Sequence, residues 1–191
     1  MAVMAVMAVM AVMTVMTHAL LTRADLDALP DDGLRHELID GHFVMSPAPG
    51  SDHQTLAMRL AALIDQTVRG THLKVLAAPY DVALGPHVVE PDVLVAPKAD
   101  FTAMDLPVPP LLVIEVLSPS TRHLDSGRKR EIYAEAGVAH YWIVDPDEPA
   151  ITTYALVGGG YRQTAQAVGD QTLHVQHPFV LALSPADLLR D

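Results

Sequence analysis

A glutamate lies in the middle of the most apolar stretch of this chain. Glu115 stands within residues 111–117, where every other residue is aliphatic, and Pro109-Pro110 and Ser118-Pro119 flank the run. Such a run is typical of a strand covered on both faces. An unpaired carboxylate there would be strongly destabilising, so we expect Glu115 to have a cationic partner, either a side chain or a metal ion.

A second acidic position interrupts the preceding apolar segment, 88–96. This segment contains Glu90-Pro91-Asp92, and aliphatic residues follow Asp92. Two carboxylates buried in consecutive strands would repel each other, so one would keep its proton unless a positive charge lay between them. A divalent cation would remove this conflict. Because the chain has no cysteine, oxygen ligands favour Mg²⁺ or Mn²⁺ over zinc, while a structural ion pair remains the alternative.

A charged helix is predicted after the Glu115 segment. It extends from Asp125, a candidate N-cap, to Gly137, a typical helix stop. At helical spacing Asp125, Lys129 and Tyr133 fall on one face, which can point back at the strand. Taken singly, Lys129 also fits a solvated lysine, and Tyr133 fits an aromatic at the edge of the core.

Asp92, Glu115 and Lys129 together suggest a reaction. Two carboxylates and a lysine, in this chain order, are the groups that metal-assisted phosphodiester hydrolysis uses. The carboxylates would hold the ion, and the lysine would position the attacking water or stabilise the developing negative charge.

In these segments the chain resembles the Uma-two family of proposed endonucleases, within the PD-(D/E)XK restriction-endonuclease-like superfamily. The resemblance covers roughly residues 20 to 191. The position two after Glu115, where many of these nucleases have lysine, is Leu117. The matching residues are 36–41, His53, Pro91-Asp92, 115–121, Asp125, Gly127, Lys129, Tyr133, 136–138 and 141–145.

The resemblance implies a nuclease fold and a set of site residues. Asp92 and Glu115 would bind Mg²⁺ or Mn²⁺, and Lys129, supplied from the following helix, would replace the lysine of the short motif. DNA would be the substrate. Glu37 is a candidate third acidic ligand, and His53 could orient water or a phosphate, although each also fits an ordinary polar residue. Asp125 and Tyr133 are candidate supporting residues.

The charge of the chain argues against strong binding to a polyanion. The formal net charge is −11, with only 12 lysines and arginines, whereas nonspecific binding to nucleic acid rests on basic surface. However, three arginines cluster beside Lys129, namely Arg122, Arg128 and Arg130. They are candidates to contact phosphates. Alternatively, they form an ordinary solvated helix turn. We therefore expect modest, metal-dependent and salt-sensitive affinity for DNA.

The predicted elements form an α/β fold with a restriction-endonuclease-like core of helix, three strands, helix and strand around a mixed sheet, with N- and C-terminal hairpins. A capping box of Ser51 and Gln54 would open the first core helix, and the proline-rich loop 97–110 should not continue a sheet. The predicted elements are a helix at 22–29, a hairpin at 34–46, a helix from 51 to about 70, strands at 73–84, 88–96, 111–117 and 139–145, the helix 125–137, a hairpin at 151–168 and a terminal helix at 184–189.

Length and composition set the remaining expectations. The 191 residues suit one domain, which we place at 17–191. Residues 1–16 contain four Met-Ala-Val repeats, and we expect a disordered repeat expansion or a misassigned start, with translation from Met13 or Met16. A membrane anchor is the less favoured alternative. The absence of cysteine agrees with a cytoplasmic protein, and we expect no stable membrane association. The oligomeric state stays open, with a homodimer as one option.

Three hypotheses follow from the sequence. The first is a Mg²⁺-dependent deoxyribonuclease. The second is a noncatalytic module of the same fold that binds DNA or protein, and the third is a structural protein in which Asp92, Glu115 and Lys129 form a buried ion-pair network. The chain has no Walker loop, dinucleotide fingerprint or Gly-x-Ser-x-Gly elbow, so nucleoside triphosphatases, dehydrogenases and serine hydrolases have no support.

Overall fold

The computed structural model describes residues 20–190. The predictions for residues 1–16 lie outside this range. No helix within the described range is both long enough and apolar enough to cross a membrane.

Residues 20–190 contain five helical segments and thirteen strands, numbered in chain order. Helix α3 has three consecutive parts, of which the middle one is π-helical. The helices are α1 (Arg23–Asp27), α2 (Ser51–Val68) and α3 (α-helical Arg122–Leu124, π-helical Asp125–Lys129 and α-helical Arg130–Ala136), with 3₁₀ turns at Lys98–Asp100 and Ala186–Leu188. The strands are β1 (Arg35–Ile39), β2 (His42–Ser46), β3 (Leu73–Ala77), β4 (Asp81–Leu84), β5 (His87–Val89), β6 (Val93–Pro97), β7 (Asp105–Leu106), β8 (Leu112–Val116), β9 (His140–Asp145), β10 (Ala150–Val157), β11 (Gly160–Val168), β12 (Leu173–Val175) and β13 (Leu181–Leu183).

The strands form three sheets. A six-stranded sheet has the order β11-β10-β9-β8-β6-β3, a five-stranded sheet has the order β2-β1-β5-β4-β7, and β12 pairs with β13. In the six-stranded sheet β8 and β9 are parallel and are connected through α3, whereas the other neighbours are antiparallel. The order α2, β3, β6, β8, α3, β9 confirms the predicted core of helix, three strands, helix and strand.

Side chains on the central strands alternate between two apolar cores. Val93 of β6 and Ile114 of β8 pack in the core that contains α2. Leu94 and Val113 point the other way, into the core that contains Ile132 of α3. Because side chains alternate along a strand, the even positions of β6 and the odd positions of β8 face α3.

Two predicted strands are each broken into two. Residues 73–84 form β3 and β4, and residues 88–96 fall in β5 and β6, so the chain passes between the two larger sheets at both breaks. Pro79 lies in the first break and Pro91 in the second. Proline has no N–H for a ladder hydrogen bond, which makes both positions natural ends for a strand.

The predicted capping box at the start of α2 is wrong. Gly50 is the N-cap and makes no side-chain hydrogen bond, while Ser51 is already helical. The Ser51 hydroxyl lies 3.3 Å from a carboxylate oxygen of Asp52, so it does not serve Gln54. The hydroxyl therefore falls one position too late to cap the helix.

The predicted N-cap at Asp125 is also wrong. Helix α3 begins at Arg122 after the N-cap Thr121, because the backbone already turns there: the Arg122 N–H donates to the Ser118 carbonyl at 2.9 Å. Asp125 consequently lies inside the helix. The predicted stop at Gly137 is confirmed, with a left-handed φ of 87° that favours glycine.

Two smaller predictions also need correction. The loop 97–110 does contribute to a sheet: its residues Asp105 and Leu106, neither of which is proline, form β7 and pair parallel with β4. The predicted terminal helix at 184–189 is reduced to the 3₁₀ turn Ala186–Leu188. Both hairpins were predicted correctly, with turns at Asp40-Gly41 and at Gly158-Gly159.

Candidate active site

Lys129 is buried at the centre of a group of carboxylates. Its Nζ lies 2.7 Å from Glu115 Oε1, 3.0 Å from Glu37 Oε1 and 3.6 Å from Asp125 Oδ1. The lysine is only 2% exposed. Burial alone would lower the pKa of Lys129, but the charges of Glu115, Glu37 and Asp125 outweigh it and raise this pKa, so the lysine is a cation.

Helix α3 supplies a second group to Glu115. The Tyr133 hydroxyl donates to Glu115 Oε1 at 2.6 Å, the same oxygen that Lys129 contacts. Lys129 and Tyr133 are four residues apart, and Asp125 precedes Lys129 by four, so one face of α3 presents all three to the strand, as the spacing predicts. Burial and the charge of Glu115 raise the pKa of Tyr133 well above its ordinary value, so the phenol keeps its proton.

Asp92 is held from three directions. Its Oδ2 accepts a hydrogen bond from the Val116 backbone N–H at 2.8 Å and lies 3.2 Å from His53 Nε2. Its Oδ1 accepts from Arg35 Nη2 at 3.0 Å. Burial raises the pKa of Asp92, but the His53 hydrogen bond and the Arg35 charge outweigh it, so this pKa is lower than that of an ordinary aspartate.

Asp92 and Glu115 lie on the same face of the six-stranded sheet. Val93 is paired with Ile114, so one step further along the antiparallel pair sets Asp92 opposite Glu115. Asp92 extends the even positions of β6 and Glu115 is an odd position of β8, so both side chains face α3. The hydrogen bond from Val116 to Asp92 fixes the two carboxylate-bearing segments side by side.

The five-stranded sheet contributes the remaining carboxylates. Glu37 lies on β1, and its Oε1 accepts a hydrogen bond from the Glu90 backbone N–H at 2.8 Å. The Glu90 carboxylate pairs with Arg35 Nε at 2.6 Å. Glu90, Pro91 and Asp92 form the connection from β5 to β6, so the site lies where the chain passes from one sheet to the other.

The connected network holds more negative than positive charge. Five carboxylates contact only two permanent cations, Lys129 and Arg35, which leaves three excess negative charges if every carboxylate is ionised. Burial, with Asp125, Asp92 and Glu37 adding to it and Lys129 opposing it, raises the pKa of Glu115 to about 8. Glu115 therefore retains a proton at neutral pH unless a further cation enters. The five carboxylates are Glu37, Glu90, Asp92, Glu115 and Asp125.

This network borders an open cavity of about 190 Å³. The loop 47–50 and the turn 118–121 form its rim, and Asp92, Glu115 and Lys129 line its floor. His53, at the start of α2, also lines it; within the described residues its buried Nδ1 has no hydrogen-bond partner. The cavity gives a small ligand access to the carboxylates.

The three arginines that were candidates for phosphate binding already have partners. Arg122 makes a bidentate contact with Asp145 and also reaches Asp147. Arg128 makes a bidentate contact with Asp40 and also approaches Glu131 and Glu135. Arg130 lies over the Tyr154 ring, 4.5 Å from its centroid, and donates to the Tyr161 carbonyl.

Sequence reasoning missed Arg35 and Glu90 as members of the network. Arg35 and Glu37 lie two residues apart on β1, and residues with that spacing share a face of a strand. Selecting Glu37 as a site residue therefore also points to Arg35. The sequence shows Glu90 as one of an acidic pair with Asp92. It does not show that the chain breaks at Pro91 between β5 and β6, which places both carboxylates in the network.

The donors present suit a hard divalent cation. Mg²⁺ is usually held by one or two carboxylates together with waters and substrate phosphates, and Asp92 and Glu115 provide two adjacent carboxylates beside an open cavity. The excess negative charge also favours a cation. Within residues 20–190, no group of three histidine, aspartate or glutamate side chains is arranged to enclose a metal ion, so water and substrate would complete the coordination.

The core of helix, three strands, helix and strand is that of a restriction-endonuclease-like fold. A model of the Uma2 family, described as "Putative restriction endonuclease", matches residues 23–187. The chain belongs to this family, as the sequence resemblance predicts.

A solved structure has the same fold. It is the crystal structure of a "putative nuclease" from Anabaena variabilis ATCC 29413, with a TM-score of 0.71 and 22% sequence identity. The match covers 88% of this chain and 97% of the other. A comparison with curated proteins gave no match.

Proposed function

We propose that this protein is a metal-dependent endonuclease that hydrolyses phosphodiester bonds of DNA. The observation that carries the proposal is the convergence of Asp92, Glu115 and Lys129 at one open cavity with excess negative charge. Membership of the Uma2 family supports nuclease chemistry, and phosphodiester hydrolysis is the reaction for which these three groups are suited.

Asp92 and Glu115 are the residues that would hold Mg²⁺ or Mn²⁺. When bound, such an ion polarises a phosphoryl oxygen and lowers the pKa of a water molecule. The surrounding residues orient the two carboxylates: Arg35 and the Val116 N–H restrain Asp92, and Tyr133 restrains Glu115. Preorganised ligands of this kind require little rearrangement during the reaction.

Lys129 would stabilise negative charge on the phosphate. An ammonium group has three N–H donors, and Glu115 and Glu37 lie within hydrogen-bonding distance of Nζ. The 3.6 Å separation from Asp125 is longer than a normal hydrogen bond. One donor can therefore turn to the substrate. Glu37 and Asp125 would keep the lysine charged and correctly placed rather than bind the ion.

Cleavage of a supercoiled plasmid with Mg²⁺, with Mn²⁺ and with a chelator tests the proposal. We expect cleavage only with an added ion, and a loss of at least about a hundredfold in rate in Glu115→Gln, because one ligand of a charge-stabilising site is removed. Glu148→Gln is the matched control, since Glu148 is exposed and lies outside the network. Cleavage by Glu115→Gln at the wild-type rate would refute the assignment.

Lys129→Met tests the role of the lysine separately. Cleavage should be abolished while metal binding, followed by calorimetry, is nearly retained. Full activity of a folded Lys129→Met protein would turn attention to His53 or Arg128 as the source of the positive charge.

The contacts of Lys129 also support a second candidate, a purely structural ion-pair network. Two glutamates from different sheets contact the same ammonium group, which would hold the sheets together without any catalysis. A metal titration by calorimetry separates the two candidates, because the structural network requires no ion and should give no binding heat that depends on Glu115.

A further inference from the structure

A second, larger cavity adjoins the catalytic cavity. Its volume is about 540 Å³, within the range of small-molecule sites. Arg35, His53 and Asp92 line both cavities, as does the loop 47–49. A group bound in the larger cavity would therefore lie next to a phosphate bound over Asp92.

The walls of this second cavity are mostly apolar and partly exposed. Leu34 is 45% exposed and Met58 is 67% exposed, and Ala57 and Ala77 extend the apolar lining. Gln54 also lines the cavity and makes no hydrogen bond with its side-chain amide in the described part of the chain. A concave apolar surface with a few polar groups at one end is typical of a ligand site.

The charge distribution indicates what kind of ligand this site would bind. The arginines of α3 are held by carboxylates or aromatic contacts, and the chain has a net charge of −11. Phosphates are therefore attracted only weakly, since that attraction depends on free basic groups. A substrate strand needs another source of affinity, and base contacts with apolar surface provide one that does not depend on charge.

We propose that the second cavity binds an unpaired nucleobase of the substrate strand, beside the phosphate that is cleaved. The inference rests on the proposed function for the presence of a nucleic acid. In a duplex the faces of a base are stacked and its edge is paired, so only a single-stranded or flipped-out base can enter a cavity. Leu34, Met58 and Ala77 contact the base, and the Gln54 amide binds its edge. The preferred substrate is consequently single-stranded or locally unpaired DNA.

Binding measurements without divalent cations test the subsite independently of cleavage. Fluorescence anisotropy would compare a labelled single-stranded oligonucleotide, the same sequence as a duplex, and an abasic strand of equal length. We expect the wild-type chain to bind the single strand about tenfold more tightly than either of the others, because the interaction of one base contributes roughly 1–3 kcal/mol.

Ala77→Phe would fill the cavity from an exposed position on β3. It should bind the single strand as weakly as wild type binds the abasic strand, without changing affinity for the abasic strand. Ala182→Phe is the matched control, an exposed alanine on β13 outside both cavities, and should keep the tenfold preference. Met58→Gln, at another exposed position, gives a second variant whose preference should fall severalfold if Ala77→Phe fails to fold.

Several results would overturn the subsite. The first is equal binding of the three probes by wild type. The second is an equal loss of affinity for the intact and the abasic single strand in Ala77→Phe. The third is a dimer in sedimentation that Ala77→Phe dissociates, which would assign the cavity to a second copy of the chain. A base preference that Ala77→Phe removes, in a protein that never cleaves DNA, would keep the subsite and refute the nuclease. Cleavage without any base preference would do the opposite.

Discussion

Three carboxylates compete for one ammonium group in this site. Lys129 approaches Glu115, Glu37 and Asp125, so loss of any single carboxylate still leaves the lysine with two partners. This differs from an isolated buried ion pair, in which removal of one partner leaves the other charge uncompensated. The two arrangements predict opposite effects of the same substitution.

Above about pH 8, where Glu115 is ionised, Glu115→Gln should raise the stability of the metal-free protein. The substitution removes repulsion from Asp92, Asp125 and Glu37 while the amide oxygen can still accept the Tyr133 hydrogen bond. Thermal melts with and without Mg²⁺ would measure the effect, and Mg²⁺ should stabilise wild type but not the variant.

A simple ion pair would give the reverse result. Glu115→Gln would then lower stability by about 3 to 5 kcal/mol. A metal-free variant that melts well below metal-free wild type, in a protein that gains nothing from Mg²⁺, would rule out the metal site. Glu148→Gln provides the control for loss of an exposed carboxylate.

The raised pKa of Glu115 predicts a pH dependence of stability. Its ordinary value of 4.5 is raised to about 8 in the folded protein, so between these values the folded state holds a proton that the unfolded state has released. The contribution of Glu115 is therefore fully present below pH 4.5 and is lost as the pH rises through about 8. Denaturant unfolding should show metal-free wild type losing stability across this window.

The same titration in Glu115→Gln isolates the group responsible. The decline between about pH 4.5 and 8 should be much shallower in the variant, and saturating Mg²⁺ should flatten it in wild type. An unchanged slope in the variant would assign the titration to another buried acid, such as Glu90 or Asp125, whose pKa values burial also raises.

Among the elements, α3 has the most unusual geometry. Its π-helical part, Asp125–Lys129, is wider than an α-helical turn, and such turns are frequent at functional sites. The buried Tyr141 hydroxyl on β9 donates to the Asp125 backbone carbonyl at 2.7 Å. Under the proposed function we expect Tyr141 to stabilise the turn that carries Lys129, and so to act as a positioning residue.

Tyr141→Phe should reduce the cleavage rate more than its effect on stability explains. Loss of the hydroxyl leaves a buried carbonyl without its donor, at a cost of about 1–3 kcal/mol, and lets the π-helical turn relax and displace Lys129. Tyr161→Phe is the matched control, because the Tyr161 hydroxyl donates to the Val138 carbonyl at 2.8 Å, outside the turn.

Melting temperature and single-turnover rate together decide the role of Tyr141. Both variants should lose similar stability, whereas only Tyr141→Phe should lose about tenfold or more in rate. Equal rates in the two variants would show that Tyr141 contributes packing alone.

Helices and strands that follow a local sequence pattern could be predicted from the sequence. The buried run around Glu115 and the periodicity of α2 identified their elements, because each pattern depends on neighbours along the chain. The five-stranded sheet was not predicted, since short strands such as β5 and β7 are defined by partners far away in sequence. The π-helical turn was also missed, and the hydrogen bond that its Asp125 carbonyl accepts comes from Tyr141, which lies on β9 and not in the helix.

The same distinction applies to the candidate site. Motif spacing predicted that Lys129, Asp125 and Tyr133 share a face of α3 directed at the Glu115 strand, because this follows from one helix facing one strand. The contacts of Arg35 could not be predicted in this way, as they depend on how the chain crosses between sheets. Partners of surface arginines likewise come from distant segments, as Asp40 does for Arg128.

For the whole molecule, the partners of the α3 arginines revise the salt-sensitive DNA binding expected from the sequence: the response to salt should be weak. Because Arg122 and Arg128 are held by carboxylates and Arg130 by Tyr154 and Tyr161, we expect few phosphates to be neutralised on binding. The affinity for single-stranded DNA should therefore fall by less than about tenfold between roughly 50 and 200 mM salt, whereas six or more phosphate contacts would give a loss of at least about 10³-fold.

Release of one arginine tests this explanation. Asp145→Asn frees part of Arg122 and should both tighten binding and steepen its salt dependence. Asp170→Asn frees part of Arg190, away from α3, and is the control that should change neither. A steep salt dependence in wild type would show that other basic groups dominate the contact with DNA.

Because the connection Glu90-Pro91-Asp92 joins the two sheets, the proposed nuclease activity depends on the completion of folding. Asp92 lies where the chain leaves one sheet for the other, and Lys129 contacts a glutamate from each sheet. A chain that has folded either sheet alone holds only part of the carboxylate network around Lys129. During synthesis, α3 emerges from the ribosome after β1 to β8, so under the proposed function a nascent chain cannot damage nearby DNA before its last catalytic residue has docked.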